Sequence, residues 1–164
     1  MRAKARLLGH PVHPMLVVFP LGLLPVSFLF DLVALGAGPS WYRVTFWMIF
    51  AGVAGALCAA VFGFADWLAV PPGTRAKTIG LWHGAGNAGA VGLFVGSWSL
   101  RLGRIADPGA LAIFLSGAGV ALLLVTAWLG GELVERLGIG VYEDAGPNAP
   151  SSLHLARVAP RPRP

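Results

Sequence analysis

The sequence predicts an all-α fold: an integral membrane four-helix bundle with both termini cytoplasmic. Three observations predict it. Of 164 residues, 56% are hydrophobic and only 12% charged, against about 25% charged in a soluble domain. The apolar residues fall in four long runs, each near or above the roughly 20 residues a helix needs to cross the hydrocarbon. The basic residues are also sided. With the N-terminus inside, Arg2, Lys4, Arg6, Arg75, Lys77, Arg136, Arg157, Arg161 and Arg163 lie on the inner side and only Arg43, Arg101 and Arg104 on the outer, the asymmetry of the positive-inside rule.

The elements follow in order. Residues 1–13 form a basic leading segment holding two His-Pro pairs, in Gly9-His10-Pro11-Val12-His13-Pro14. Proline fixes its own φ and biases the preceding residue away from helical geometry, so both histidines are expected outside the helix. The first span is expected over 14–36. Its apolar run from Met15 to Phe30 is long for a secretory signal, and it is read as retained. The second span is expected over 41–70, long enough to tilt, and closes at Pro71-Pro72-Gly73. The third is expected over 79–100. The fourth, over 108–137, starts from Ala106-Asp107-Pro108. Residues 138–164, rich in Pro, Ala, Ser and Arg, are expected to be a disordered tail, and His154 within it has no specific role.

Several functions are excluded. The sequence pI near 10.4 does not imply nucleic acid, because the arginines sit at span ends and in the tail, unclustered and not interleaved with aromatics. Cys58 is the only cysteine, so no disulfide or thiolate cluster is available. No Ser-His-Asp order, phosphate loop or nucleotide fingerprint is present, so the chain is not expected to be an enzyme by itself.

The remaining ionisable residues gather at one side. His10 and His13 open the first span, Asp66 closes the second, His83 begins the third with Asn87 one turn deeper, and Glu132 ends the fourth. A weak internal repeat runs from histidine to carboxylate, His13 to Asp66 and His83 to Glu132, suggesting two hairpins about an axis along the membrane normal. Gly52, Ala56, Ala59, Gly63 and Asp66 share a helical face, and small stripes mark close helix approach in membranes, so Asp66 is expected to point inward. Gly80, His83, Gly86, Asn87 and Ala90 share another, leaving room for a neighbouring helix or a flat cofactor. Asp31, near the outer interface, is read as an anchor for Arg43, Arg101 or Arg104.

These motifs resemble a family of uncharacterised bacterial four-helix inner-membrane proteins, a domain of unknown function. The pattern is G-H-P-x-H-P (Gly9 to Pro14), G-x-x-D (Gly63 to Asp66), H-x-x-x-N (His83 and Asn87), then G-G-x-L-V (Gly130 to Val134) and G-x-G-V (Gly138 to Val141). The resemblance covers roughly residues 8–142. It implies a membrane domain of the bacterial inner membrane, sometimes found beside redox modules such as Rieske-type iron–sulfur domains, and carries no activity of its own.

The chemistry of the cluster leaves alternatives open. Haem b needs two neutral imidazoles facing each other, which His83 with His10 or His13 could supply, with Asn87, Asp66 or Glu132 holding the distal ring nitrogens. A divalent metal would use His13, His83, Asp66 and Glu132. Either would make the protein a redox-linked membrane component with a partner such as an iron–sulfur protein. The alternatives are a non-catalytic anchor or assembly subunit, and a proton or ion pathway, for which the outer half offers few polar residues. The lipid bilayer is the one partner every reading shares, and an oligomer is compatible with all of them.

Overall fold

The computed structural model describes residues 3–155; Arg2 and residues 156–164 of the expected tail, with Arg157, Arg161 and Arg163, lie outside them. Four long helices run α1 (Val12–Ala37), α2 (Trp41–Ala69), α3 (Arg75–Leu100) and α4 (Gly109–Gly131), the last continued by a π-helical turn, Glu132–Arg136. At 1.5 Å per residue, every one exceeds the 30 Å hydrocarbon thickness. By length and composition α1, α2 and α4 with its π turn are apolar enough to cross a membrane. α3 has the length, but six of its 26 residues are glycines and its first turn is basic, so it is less apolar. Leu, Val, Phe and Trp side chains face outward along the bundle, among them Phe19, Trp47, Phe64, Trp82, Phe114 and Trp128. This is the surface of a protein whose solvent is lipid.

Short connections fix the order. Gly38 to Ser40 join α1 to α2, and Val70 to Thr74 join α2 to α3, where the Thr74 hydroxyl accepts from the Lys77 N–H at 3.2 Å and caps α3. α1 packs chiefly on α2 and α3 chiefly on α4, so the bundle is two antiparallel hairpins laid side by side.

Several contacts within one hairpin recur in the other. Residues of α1 recur 70 positions later on α3 and residues of α2 recur 67 positions later on α4. The His13 ring bonds the Ala59 carbonyl as His83 bonds that of Thr126. Leu24 lies against Gly52 as Phe94 lies against Gly119. The Thr45 hydroxyl donates to the Ser27 carbonyl, and at the matching place the Ser97 hydroxyl donates to the Ala112 carbonyl, with donor and acceptor exchanged between the helices. Phe19 packs on Gly55, and at the matching place Gly89 packs on Leu122, with large and small exchanged. This register corrects the one expected from the carboxylates: Asp66 corresponds to Leu133 and Glu132 to Ala65, so only the histidines of that repeat are true counterparts.

Three layers stack along the bundle. The histidines occupy one end. Leu24, Ile49, Ala90, Phe94 and Leu123 form an apolar middle. Beyond it lie Ser27, Asp31, Thr45, Ser97, Arg101 and Ser116, all fully buried.

A small antiparallel hairpin, β1 (Arg6–Leu7) with β2 (His10–Pro11), precedes α1. Its two-residue loop has positive φ at both Leu8 and Gly9, 50° and 89°, as a type I′ turn demands. Gly9 is doubly constrained, since a Cβ there would stand 2.8 Å from the Cβ of Ser152. Asp66 Oδ1 accepts from the Lys4 N–H at 2.7 Å. From the C-terminal side, the Tyr142 hydroxyl donates to the Gly9 carbonyl, the Arg6 guanidinium covers the Tyr142 ring at 4.3 Å, and the Ser152 hydroxyl donates to the Leu8 carbonyl at 3.3 Å. Residues 142–152, within the expected tail, therefore close over the leading hairpin.

Candidate functional site

The two prolines of the opening motif do different things. Pro11 is extended, with φ −66° and ψ 132°, and caps α1, leaving His10 in β2 as expected. His13 instead lies inside the first turn of α1, ahead of Pro14, which corrects the expectation that both histidines stay outside the helix. The bias against helical geometry before proline is a preference, and the bond His13 makes across to α2 is available only from the helix.

That bond joins His13 Nδ1 to the Ala59 carbonyl at 2.9 Å, and its counterpart joins His83 Nδ1 to the Thr126 carbonyl at 2.9 Å. A carbonyl oxygen only accepts, so each Nδ1 carries a proton, and in the neutral imidazole each Nε2 then presents the lone pair. Each ring rests on a glycine four residues beyond its carbonyl partner. A Cβ on Gly63 would come within 2.7 Å of His13 Cε1, and one on Gly130 within 3.1 Å of His83 Cε1.

The rings differ at Nε2. The Asn87 amide Nδ2 donates to His83 Nε2 at 3.2 Å, and Asn87 Oδ1 accepts from the Thr126 hydroxyl at 2.9 Å, which orients the amide. The position matching Asn87 in the first hairpin is Val17, and His13 Nε2 has no such partner among the described residues. The room beside Gly86 is taken by Thr126, whose methyl a Cβ there would meet at 2.5 Å. A groove lined by Trp82, Ala85, Gly86, Leu122, Val125 and Leu129 is apolar and opens outward.

The other expected members do not join this pair. His10 is exposed, its Nε2 3.2 Å from the Ser152 hydroxyl. Asp66 is engaged by the leading segment, and Glu132 by Arg75 at 2.7 Å. Among the described residues no three of His, Cys, Asp and Glu assemble as a metal-binding group. What hydrogen bonds join is His83, Asn87 and Thr126 in the second hairpin, and His13 with the Ala59 carbonyl in the first.

At the far end, Asp31 and Arg101 form a bidentate pair, Nη1 to Oδ1 at 2.9 Å and Nη2 to Oδ2 at 2.7 Å, both side chains fully buried. Ser97 Oγ accepts from Arg101 Nε at 3.3 Å, donates to the Ala112 carbonyl at 2.7 Å and lies 2.8 Å from Ser116 Oγ. Of the three arginines open to Asp31 from the sequence, Arg101 is the partner. Arg104 pairs with Asp107 at 3.6 Å, exposed. The sequence marks Thr126 only as one of few polar residues along the spans, and Ser116 and the 70- and 67-residue register of the repeat were not legible in it. One signal was present: Ser27-x-x-x-Asp31 and Ser97-x-x-x-Arg101 stand at the same spacing as His13 and His83.

The model of one protein family, described as predicted membrane protein (DUF2231), matches residues 9–143. No curated protein and no solved structure matches the chain.

Proposed function

Because the chain belongs to the DUF2231 family of predicted membrane proteins, we propose that it is a multi-pass protein of the bacterial inner membrane, with both termini cytoplasmic, whose His13 and His83 would hold a haem b in a redox-linked membrane component. The observation that carries the reading is the matched pair of Nδ1–H bonds to the Ala59 and Thr126 carbonyls. Ligating histidines commonly donate the distal ring N–H to a carbonyl or carboxylate, which fixes the tautomer and raises ligand basicity. Here it turns both Nε2 atoms away from those carbonyls, one from each half of the repeat; iron would meet that of His13 directly and would replace the Asn87 amide at that of His83.

The donor set favours haem over a divalent ion. A structural zinc site needs four ligands and a catalytic one three, whereas Asp66 and Glu132 are held elsewhere. Haem brings four ligands of its own and asks the protein for two imidazoles. A proton path is less well supported, since Leu24, Ile49 and Phe94, each fully buried, separate the two polar layers. Electron exchange would require a partner at the histidine end, of the kind an iron–sulfur protein provides.

The test is a reduced-minus-oxidised visible spectrum of the protein purified from haem-replete membranes. A b-type spectrum that His13→Ala and His83→Ala each abolish, with both variants still inserted, supports the reading. A colourless protein after haem supplementation, with variants that lose only stability, refutes it.

A further inference from the structure

The Asp31–Arg101 pair occupies equivalent places in the two hairpins, 70 positions apart, and so lies where the repeats face one another. Nearby, the hairpins contribute alike residues: Leu24 and Phe94 join one buried cluster from equivalent positions, and Ser27 and Ser97 stand one turn before the charges. Two surfaces this similar could each pair with a copy of themselves, as in an isologous dimer. The charges are the conspicuous departure from the likeness. Both are fully buried, where an unpaired ion is expensive and a partner is required.

We infer that the buried Asp31–Arg101 pair makes the first hairpin pair with the second, and excludes pairing of either hairpin with its own kind from another copy of the chain. First against first would set Asp31 on Asp31, and second against second Arg101 on Arg101, inside apolar surroundings. First against second gives the neutral bidentate pair with Ser97 and Ser116 satisfying the remaining guanidinium hydrogens. Specificity by disfavoured alternatives of this kind is how coiled coils choose partners. The inference rests on the far end of the bundle and stands whether or not the histidines hold haem.

The test uses full-length chains in detergent, with molar mass read by light scattering. Asp31→Leu combined with Arg101→Leu removes the exclusion, and the dimer-and-larger fraction should rise about tenfold over the wild type, the scale that loss of one like-charge contact allows. The swap Asp31→Arg with Arg101→Asp should keep the wild-type mass. Asp31→Arg and Arg101→Asp, each alone, should lose the wild-type species. Co-expressed with different tags, those two chains should co-purify, each supplying the charge the other lacks. An apolar double variant that keeps the wild-type mass overturns the inference, as do single reversals that are tolerated or that fail to co-purify.

Discussion

Replacing Gly63 by alanine tests the close seat of His13 with a single methyl group. The new Cβ would stand 2.7 Å from His13 Cε1, 2.9 Å from Nδ1 and 3.3 Å from Nε2. Non-bonded carbons settle at about 3.5–4.0 Å, so the ring must withdraw by about 1 Å. Overpacking of this kind costs about 1–3 kcal/mol. Withdrawal also stretches the 2.9 Å bond to the Ala59 carbonyl, a loss of about 1 kcal/mol. Against both stands the helix preference for alanine over glycine, up to about 1 kcal/mol. The net expectation is destabilisation by about 1–3 kcal/mol, measured as a shift in reversible unfolding by SDS in mixed micelles. Gly130→Ala, where the nearest atom is His83 Cε1 at 3.1 Å, should cost less. Gly22→Ala on α1, which meets nothing within 4 Å, should be neutral or stabilising. Gly63→Ala behaving like Gly22→Ala would refute the seating of His13 against α2.

Topology reporters fused in the loop at residues 71–77 and after Val141 should read cytoplasmic, and one at Gly38 external; a periplasmic signal from the first would invert the orientation. Thr126→Val removes the hydroxyl that orients Asn87 and should lower stability by about 1 kcal/mol, whereas Leu57→Phe, at a position 58% exposed, should stay within about 0.5 kcal/mol; equal effects would mean the Asn87 network is not formed. Glu132→Gln breaks an ion pair whose arginine is 61% exposed, so the change in unfolding midpoint should correspond to less than about 1 kcal/mol. Asp66→Ala frees the Lys4 and Ala5 N–H groups and should speed proteolysis ahead of α1 without shifting global unfolding; unchanged cleavage would count against the carboxylate as the tether.

The helices were legible because lipid demands long apolar runs, and the four runs end within a few residues of the helices. The face of small residues on α2 was legible for the same reason: Gly52 and Gly63 do face α1, against Leu24 and His13. Asp66 lies at the end of that stripe, but past the last turn of close contact it meets the leading segment instead of the interior. Proximity along the membrane normal does not fix azimuth, so Asp66, Glu132 and His10 could be placed at the right end without converging. The partners of the two histidines were illegible for a simpler reason. They are backbone carbonyls, and any residue could have carried them. The bond from Asn87 to His83 follows from i, i+4 spacing on one helix and needed no tertiary information.

The closure of residues 142–152 over the leading hairpin has a consequence for biogenesis. Tyr142 meets Gly9 across 133 residues of chain. At synthesis rates of about 5–20 residues per second, the ribosome needs roughly 7–27 s to deliver the second partner after the first. The strands β1 and β2, with Leu8 on their turn, therefore emerge well before the segment that closes over them, and wait while the helices of the bundle are made. Assembly of this end is a terminal step, completed only on chains whose last helix has inserted in the right direction. A chain whose fourth helix stays on the wrong side is left with its N-terminus open, a difference that a protease on that side of the membrane can read.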